Sequence, residues 1–191
     1  MLLGSLTRDT LGEAGEASDP AKCVLVMHVH VLPSLMLLID RLIGLGFREE
    51  AIIVVGKSYS TIPAAAADLA ERGVVFIAGR ADEFSPGYFD HANRTILARA
   101  CHQAAGLASE LNSERAILVD DGGLLSEVWY SEVGRYRLHV VSVQQTASGL
   151  FSESRPFAQS PFVKIDVARS AAKSYFEARI IAEGTFRAVE S

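Results

Sequence analysis

Short unbroken apolar runs alternate along the chain with longer segments in which apolar residues recur every three or four positions, and most changes of period fall at Gly, Pro or a polar cluster. Cys23 to His28 is continuous and apolar, which predicts a strand buried on both faces. After His30 and Pro33, Leu35 to Leu45 has helical spacing and ends among Gly44 and Gly46. Ala51 to Val55 predicts a second strand with Gly56 and Lys57 at its end. Thr61 to Arg72 predicts a helix, with Pro63 in its first turn and Gly73 beyond its last, and Val74 to Ala78 a third strand. Arg80 to Tyr88 reads as a polar loop and Phe89 to Leu111 as a long, Ala-rich helix. The next apolar run, Ile117-Leu118-Val119, predicts a buried central strand, and it stops abruptly in Asp120-Asp121-Gly122-Gly123. A helix over Ser126 to Arg135, a strand over Leu138 to Val143, a Ser- and Pro-rich loop from Thr146 to Pro161, a short strand at Phe162 to Ile165 and a helix over Val167 to Ile181 complete the pattern. The regular alternation predicts an α/β protein with a single open, mostly parallel sheet and helices on both faces.

Composition narrows the class without fixing it. At 191 residues and 49% hydrophobic content the chain supports one full core, so a single domain over 22–191 is expected, preceded by a partly ordered extension over 1–21. A net charge of -5 with no Lys/Arg cluster argues against nucleic acid or an acidic membrane as partner, since both require a basic face. No apolar stretch approaches the roughly 18 residues of a membrane span. The two cysteines, Cys23 and Cys101, lie inside apolar segments without zinc-ligand spacing and are expected to be reduced core thiols of a cytoplasmic protein.

Three features carry candidate chemistry. Asp120 and Asp121 stand at the carboxyl end of a predicted parallel strand, where ligands of open α/β sheets bind, although Asp120 could equally cap the following helix and Asp121 be solvated. His28 and His30, two residues apart, point the same way on a continuing strand and suit a hydrogen-bonded histidine or an acid/base group better than a metal pair, because no third ligand is recognisable. Lys173 and Glu177 share a helix face, as a surface ion pair would. Gly44-Leu45-Gly46 follows a helix instead of a strand and is no dinucleotide loop, and none appears elsewhere.

Taken in order, these segments resemble the substrate-binding domain of the S-adenosylhomocysteine hydrolase family, from about Cys23 to Gly184. The likeness lies in the strand-one histidine before a helix ending Leu-Gly, Ser60-Thr61 before an Ala-rich helix, Asp120-Asp121-Gly122-Gly123, the Gln145-Thr146 turn, and Asp166 to Glu177 with its central Lys173. The resemblance implies a Rossmann-like or flavodoxin-like three-layer fold and a thioether-hydrolase ancestry. It also implies catalytic roles for His30, Asp120 and Lys173, and substrate-binding roles for Gln145, Thr146, Glu177, Ser34 and Thr61. In that family a tightly bound NAD oxidises the ribose before thiol elimination. With no dinucleotide loop in the chain, no cofactor is expected on it alone, and NAD would come from a partner protein.

Two departures qualify the likeness. Gln145 replaces a ribose-gripping glutamate, and the positions that read the adenine edge are Leu32, Ser34 and Ile62. The expected ligand is therefore a nucleoside or related ribosyl or polyol molecule with a small or apolar substituent, with self-association left open. A binding or regulatory protein that kept the fold and lost the hydrolase activity is the competing expectation, and the intact alternation argues against a degenerate fragment.

Overall fold

A computed structural model describes residues 19–79, 86–134, 138–146, 162–171 and 173, with backbone alone for 86–92. The strands are β1 (Cys23–Val31), β2 (Ile52–Thr61), β3 (Val75–Ile77), β4 (Arg115–Asp120), β5 (His139–Gln144) and β6 (Val163–Asp166). The helices are α1 (Pro33–Gly44), α2 (Pro63–Glu71), α3 (Pro86–Glu110) and α4 (Leu124–Glu132), with short 3-10 turns at Pro20–Lys22 and Glu49–Ala51.

All strand pairs run parallel, in the order β3-β2-β1-β4-β5-β6. Val24, Val26, Ile53 and Leu118 face one way, onto Leu97, Ala100, Ala104, Val128 and Trp129 of α3 and α4. Leu25, Met27, Ile52 and Val54 face the other, onto Leu35, Met36, Ile39, Ala65 and Leu69 of α1 and α2. This three-layer α/β arrangement is the expected fold class. It accounts for the continuous apolar runs, because both faces of β1, β2 and β4 need a cover. Cys23 and Cys101 are both buried and free, and burial pushes both thiols above their ordinary range. Among the described residues no helix is long and apolar enough to cross a membrane.

Several boundaries differ from the periodicity. Thr61, expected to open a helix, is the last residue of β2. The residue before a proline is held extended, so Ile62 (ψ 123°) and Leu32 (ψ 161°) separate strand from helix, and Pro63 and Pro33 begin α2 and α1. The first strand continues three residues past His28 to Val31. The fourth helix begins at Leu124, earlier than Ser126, and ends at Glu132. Most of the expected loop 146–161 and of the helix 167–181 lies outside the described residues.

Candidate functional site

The strand order reverses direction about β1 and β4: one half of the sheet grows from β1 through β2 to β3, the other through β4 to β6. In open parallel sheets a crevice opens at such a reversal, beyond the carboxyl ends of the strands. His28, Asp120 and Gln144 occupy matching register positions on β1, β4 and β5 at that end.

Asp120 is fully buried and belongs to the turn that starts α4. One carboxylate oxygen accepts the N–H of Gly123 at 3.1 Å and of Leu125 at 3.4 Å, and the other that of Ser126 at 2.8 Å. The first-turn N–H groups of a helix have no partner within the helix, and a carboxylate there also meets the positive end of its dipole. Gly122 and Gly123 make this possible by taking φ of 112° and 84°, which fold the chain back over the Asp120 side chain. Gln144 extends the network, donating to Ser126 Oγ at 3.0 Å and Ser142 Oγ at 2.8 Å.

Asp121 faces the other way, toward the crevice. Its Oδ2 lies 2.9 Å from Lys57 Nζ and 3.0 Å from His30 Nε2, with the Lys57 and Asp121 side chains only 11% and 10% exposed and His30 41% exposed. The Asp121 N–H donates to the carbonyl of His28 at 3.2 Å, which ties the turn after β4 to β1. The other ring nitrogen of His30, Nδ1, hydrogen-bonds the Ser60 hydroxyl, and the Tyr59 ring stands edge-on to the imidazole with centroids 5.6 Å apart.

Lys57, Tyr59 and Ser60 reach this cluster through an irregularity in β2. Val29 pairs with Gly56 and Val31 with Thr61, so two steps on β1 span five on β2 and 57–60 bulge out of the ladder. The bulge is closed by the Thr61 hydroxyl donating to the Lys57 carbonyl at 2.9 Å. It also needs the absence of a side chain at Gly56, where a Cβ would stand 2.6 Å from Thr61 Oγ1 and 3.1 Å from both Val31 and Phe76.

The expected site residues are therefore distributed unevenly. His30 joins the Lys57–Asp121 cluster just past the end of β4. Asp120 is committed to the α4 turn, with Asp121 beside it facing the crevice. Thr61 staples the bulge. Gln145 and Thr146 follow directly on β5, where the Gln145 N–H donates to the Asp120 carbonyl at 3.0 Å. The Lys173 ammonium turns back to the strand ends and donates to the Gln145 carbonyl, so it is not held by a surface pair alone. Ser34 is exposed in the first turn of α1, and Leu32 and Ile62, also exposed, flank the end of β1, where the Ile62 N–H donates to the Val31 carbonyl at 2.9 Å. Glu177 lies outside the described residues. Asp121 is one of the two strand-end acids that the sequence marks, whereas Lys57, Tyr59 and Ser60 are not singled out as site groups by sequence reasoning. Their signal was a polar run, Lys57-Ser58-Tyr59-Ser60, placed immediately after an apolar strand.

His28 lies two residues before His30 but is buried, with Nδ1 unpartnered. Burial pushes its pKa down to about 4; the nearby Asp120 and Asp121 carboxylates oppose that shift, and Lys57 and His30 add to it. The ring is thus neutral at pH 7. Among the described residues no cluster of three or more His, Cys, Asp and Glu side chains could hold a metal ion. A dinucleotide does not fit the β1–α1 junction either: Leu32-Pro33-Ser34 supplies bulk and a missing N–H where a pyrophosphate needs glycines and exposed amides.

Two uncharacterized proteins from two strains of Mycobacterium tuberculosis are each 27% identical to the chain over 175 residues, which is 88% of this chain and 33% of each relative. The chain thus spans about a third of the length of the curated relatives it matches. No family model matches it, and no solved structure gives a significant match.

Proposed function

We propose that this chain binds a nucleoside-like or related ribosyl or polyol small molecule in the crevice at the ends of β1, β2, β4 and β5. In this proposal it is the substrate-binding half of an adenosylhomocysteinase-like system whose redox step needs NAD from another protein or domain. The observation that carries the binding proposal is the Asp121 carboxylate, nearly withdrawn from water yet held between Lys57 and His30 at the strand-order reversal. Taking charges out of water is costly unless they are paired, and clusters of this kind concentrate at functional sites. Hydroxyl groups of a diol find both donors and acceptors there. We assign to Asp121 the acid/base partnership with His30 that the resemblance gives to Asp120, since Asp120 spends its oxygens on the α4 turn. Lys173, drawn to the Gln145 carbonyl, is assigned to the ribose side of the same crevice.

A non-catalytic ligand-binding or regulatory protein is the second possibility, and the Lys57–Asp121 pair favours it, because the ammonium sits on the same Oδ2 that a catalytic carboxylate would turn to its substrate. A thermal-shift screen of nucleosides and simple ribosides, with and without NAD, tests the proposal. Stabilisation by ribosides that is absent in His30→Ala supports it, since a ligand that binds only the native state raises its stability. No riboside shift at millimolar concentration contradicts it.

A further inference from the structure

We infer that Ser60, His30 and Asp121 form a nucleophile–base–carboxylate relay able to transfer or hydrolyse acyl groups of small esters. This uses the same His30–Asp121 pair but requires neither a ribosyl ligand nor NAD. The geometry carries it. The Asp121 carboxylate lies 3.0 Å from His30 Nε2, a contact that favours the tautomer with the proton on Nε2 and so leaves the Nδ1 lone pair for the Ser60 hydroxyl. Nucleophile, base and orienting carboxylate thus stand in the series that activates a serine, with the two imidazole nitrogens exchanged relative to the commonest arrangement. The imidazole can accept a proton at either nitrogen, so the exchange does not alter its capacity as a base.

The backbone supports the same conclusion. Four residues of β2 leave the ladder, and three of them place their side chains on this cluster: Lys57 on Asp121, Tyr59 against His30 and Ser60 on Nδ1. Bulges beside active sites re-aim side chains in this way. Ser60 is half-buried at the half-exposed His30, and the Lys57 ammonium, 2.9 Å from Asp121 Oδ2, places positive charge beside the cluster where negative charge would develop on a carbonyl oxygen.

The reaction balances without an added oxidant or reductant. Ser60 Oγ bonds to the ester carbonyl carbon while its proton moves to His30 Nδ1. The ester C–O bond then breaks, the departing alkoxide takes that proton, and the acyl group stays on Ser60. Water attacks the acyl carbon and gives a proton to Nδ1, which returns it to Ser60 as the acid leaves. The net change is ester plus water to acid plus alcohol.

The test uses the full chain with a fluorophosphonate probe and with p-nitrophenyl acetate. The inference predicts one phosphonate adduct, found on Ser60 by peptide mass spectrometry, and a burst approaching one nitrophenolate per chain. Adduct and burst should be lost in Ser60→Ala and fall about 100-fold or more in His30→Ala and Asp121→Asn. Ser60→Cys guards against a folding failure, because its thiol should alkylate faster with His30 present than in the double variant with His30→Ala. Cooperative melting together with no adduct on Ser60, or labelling unchanged by His30→Ala, overturns the relay. Riboside binding by the wild-type chain is read separately, so the two proposals fail independently.

Discussion

Asp120 and Asp121 are adjacent in sequence and opposite in role. The sequence marks both as acids at a strand end, but which one faces the crevice depends on the backbone at Gly122 and Gly123, and glycine permits either course. Removing the Asp120 carboxylate strands the buried N–H groups of Gly123 and Ser126, so Asp120→Ala should cost about 2 to 4 kcal/mol, read as a lower urea midpoint at unchanged slope. His28 makes a separate prediction. Its folded pKa of about 4 lies below the ordinary 6.5, so the unfolded chain takes up the proton first as pH falls. The stability due to its neutral burial is complete above pH 6.5 and is lost between there and pH 4. By linkage this amounts to about 2 kcal/mol between pH 7 and pH 5. Urea titrations at the two pH values should show that loss in wild type and a smaller one in His28→Gln.

The order and type of the elements follow from hydrophobic period and from Pro33, Pro63 and the glycines, because a strand covered on both faces must be apolar throughout and a helix covered on one must not. The β2 bulge could not be read the same way. Gly56-Lys57-Ser58-Tyr59-Ser60 has the composition of a loop, and only the renewed pairing of Thr61 with Val31 shows that the strand resumes beyond it. This irregular stretch supplies Lys57, Tyr59 and Ser60, so the part of the site that periodicity conceals is the part carried by an exception to it. Gly56→Ala places a methyl group against Thr61 Oγ1, Val31 and Phe76. It should destabilise by about 1 to 3 kcal/mol and displace the bulge, seen as altered chemical shifts of the His30 ring in NMR spectra.

Across the whole molecule, periodicity identifies strands but not their neighbours, and the site depends on neighbours. Lys57, His30 and Asp121 meet because β1 lies between β2 and β4. In the sequence, His30, Lys173 and the Gln145-Thr146 turn are linked only through the family resemblance; in the structure Lys173 meets the Gln145 carbonyl and His30 meets Asp121. The crevice itself makes a sharper prediction. Buried adenine atoms left without partners cost roughly 1 to 3 kcal/mol each, and the Leu32 and Ile62 side chains offer none. Calorimetric titration of wild type and Asp121→Asn with adenosine and with a simple apolar riboside decides whether Asp121 belongs to a riboside site. The apolar riboside should bind more tightly than adenosine, and Asp121→Asn should weaken its binding at least tenfold. Equal riboside affinity in wild type and Asp121→Asn, or no heat from either ligand, would contradict that assignment.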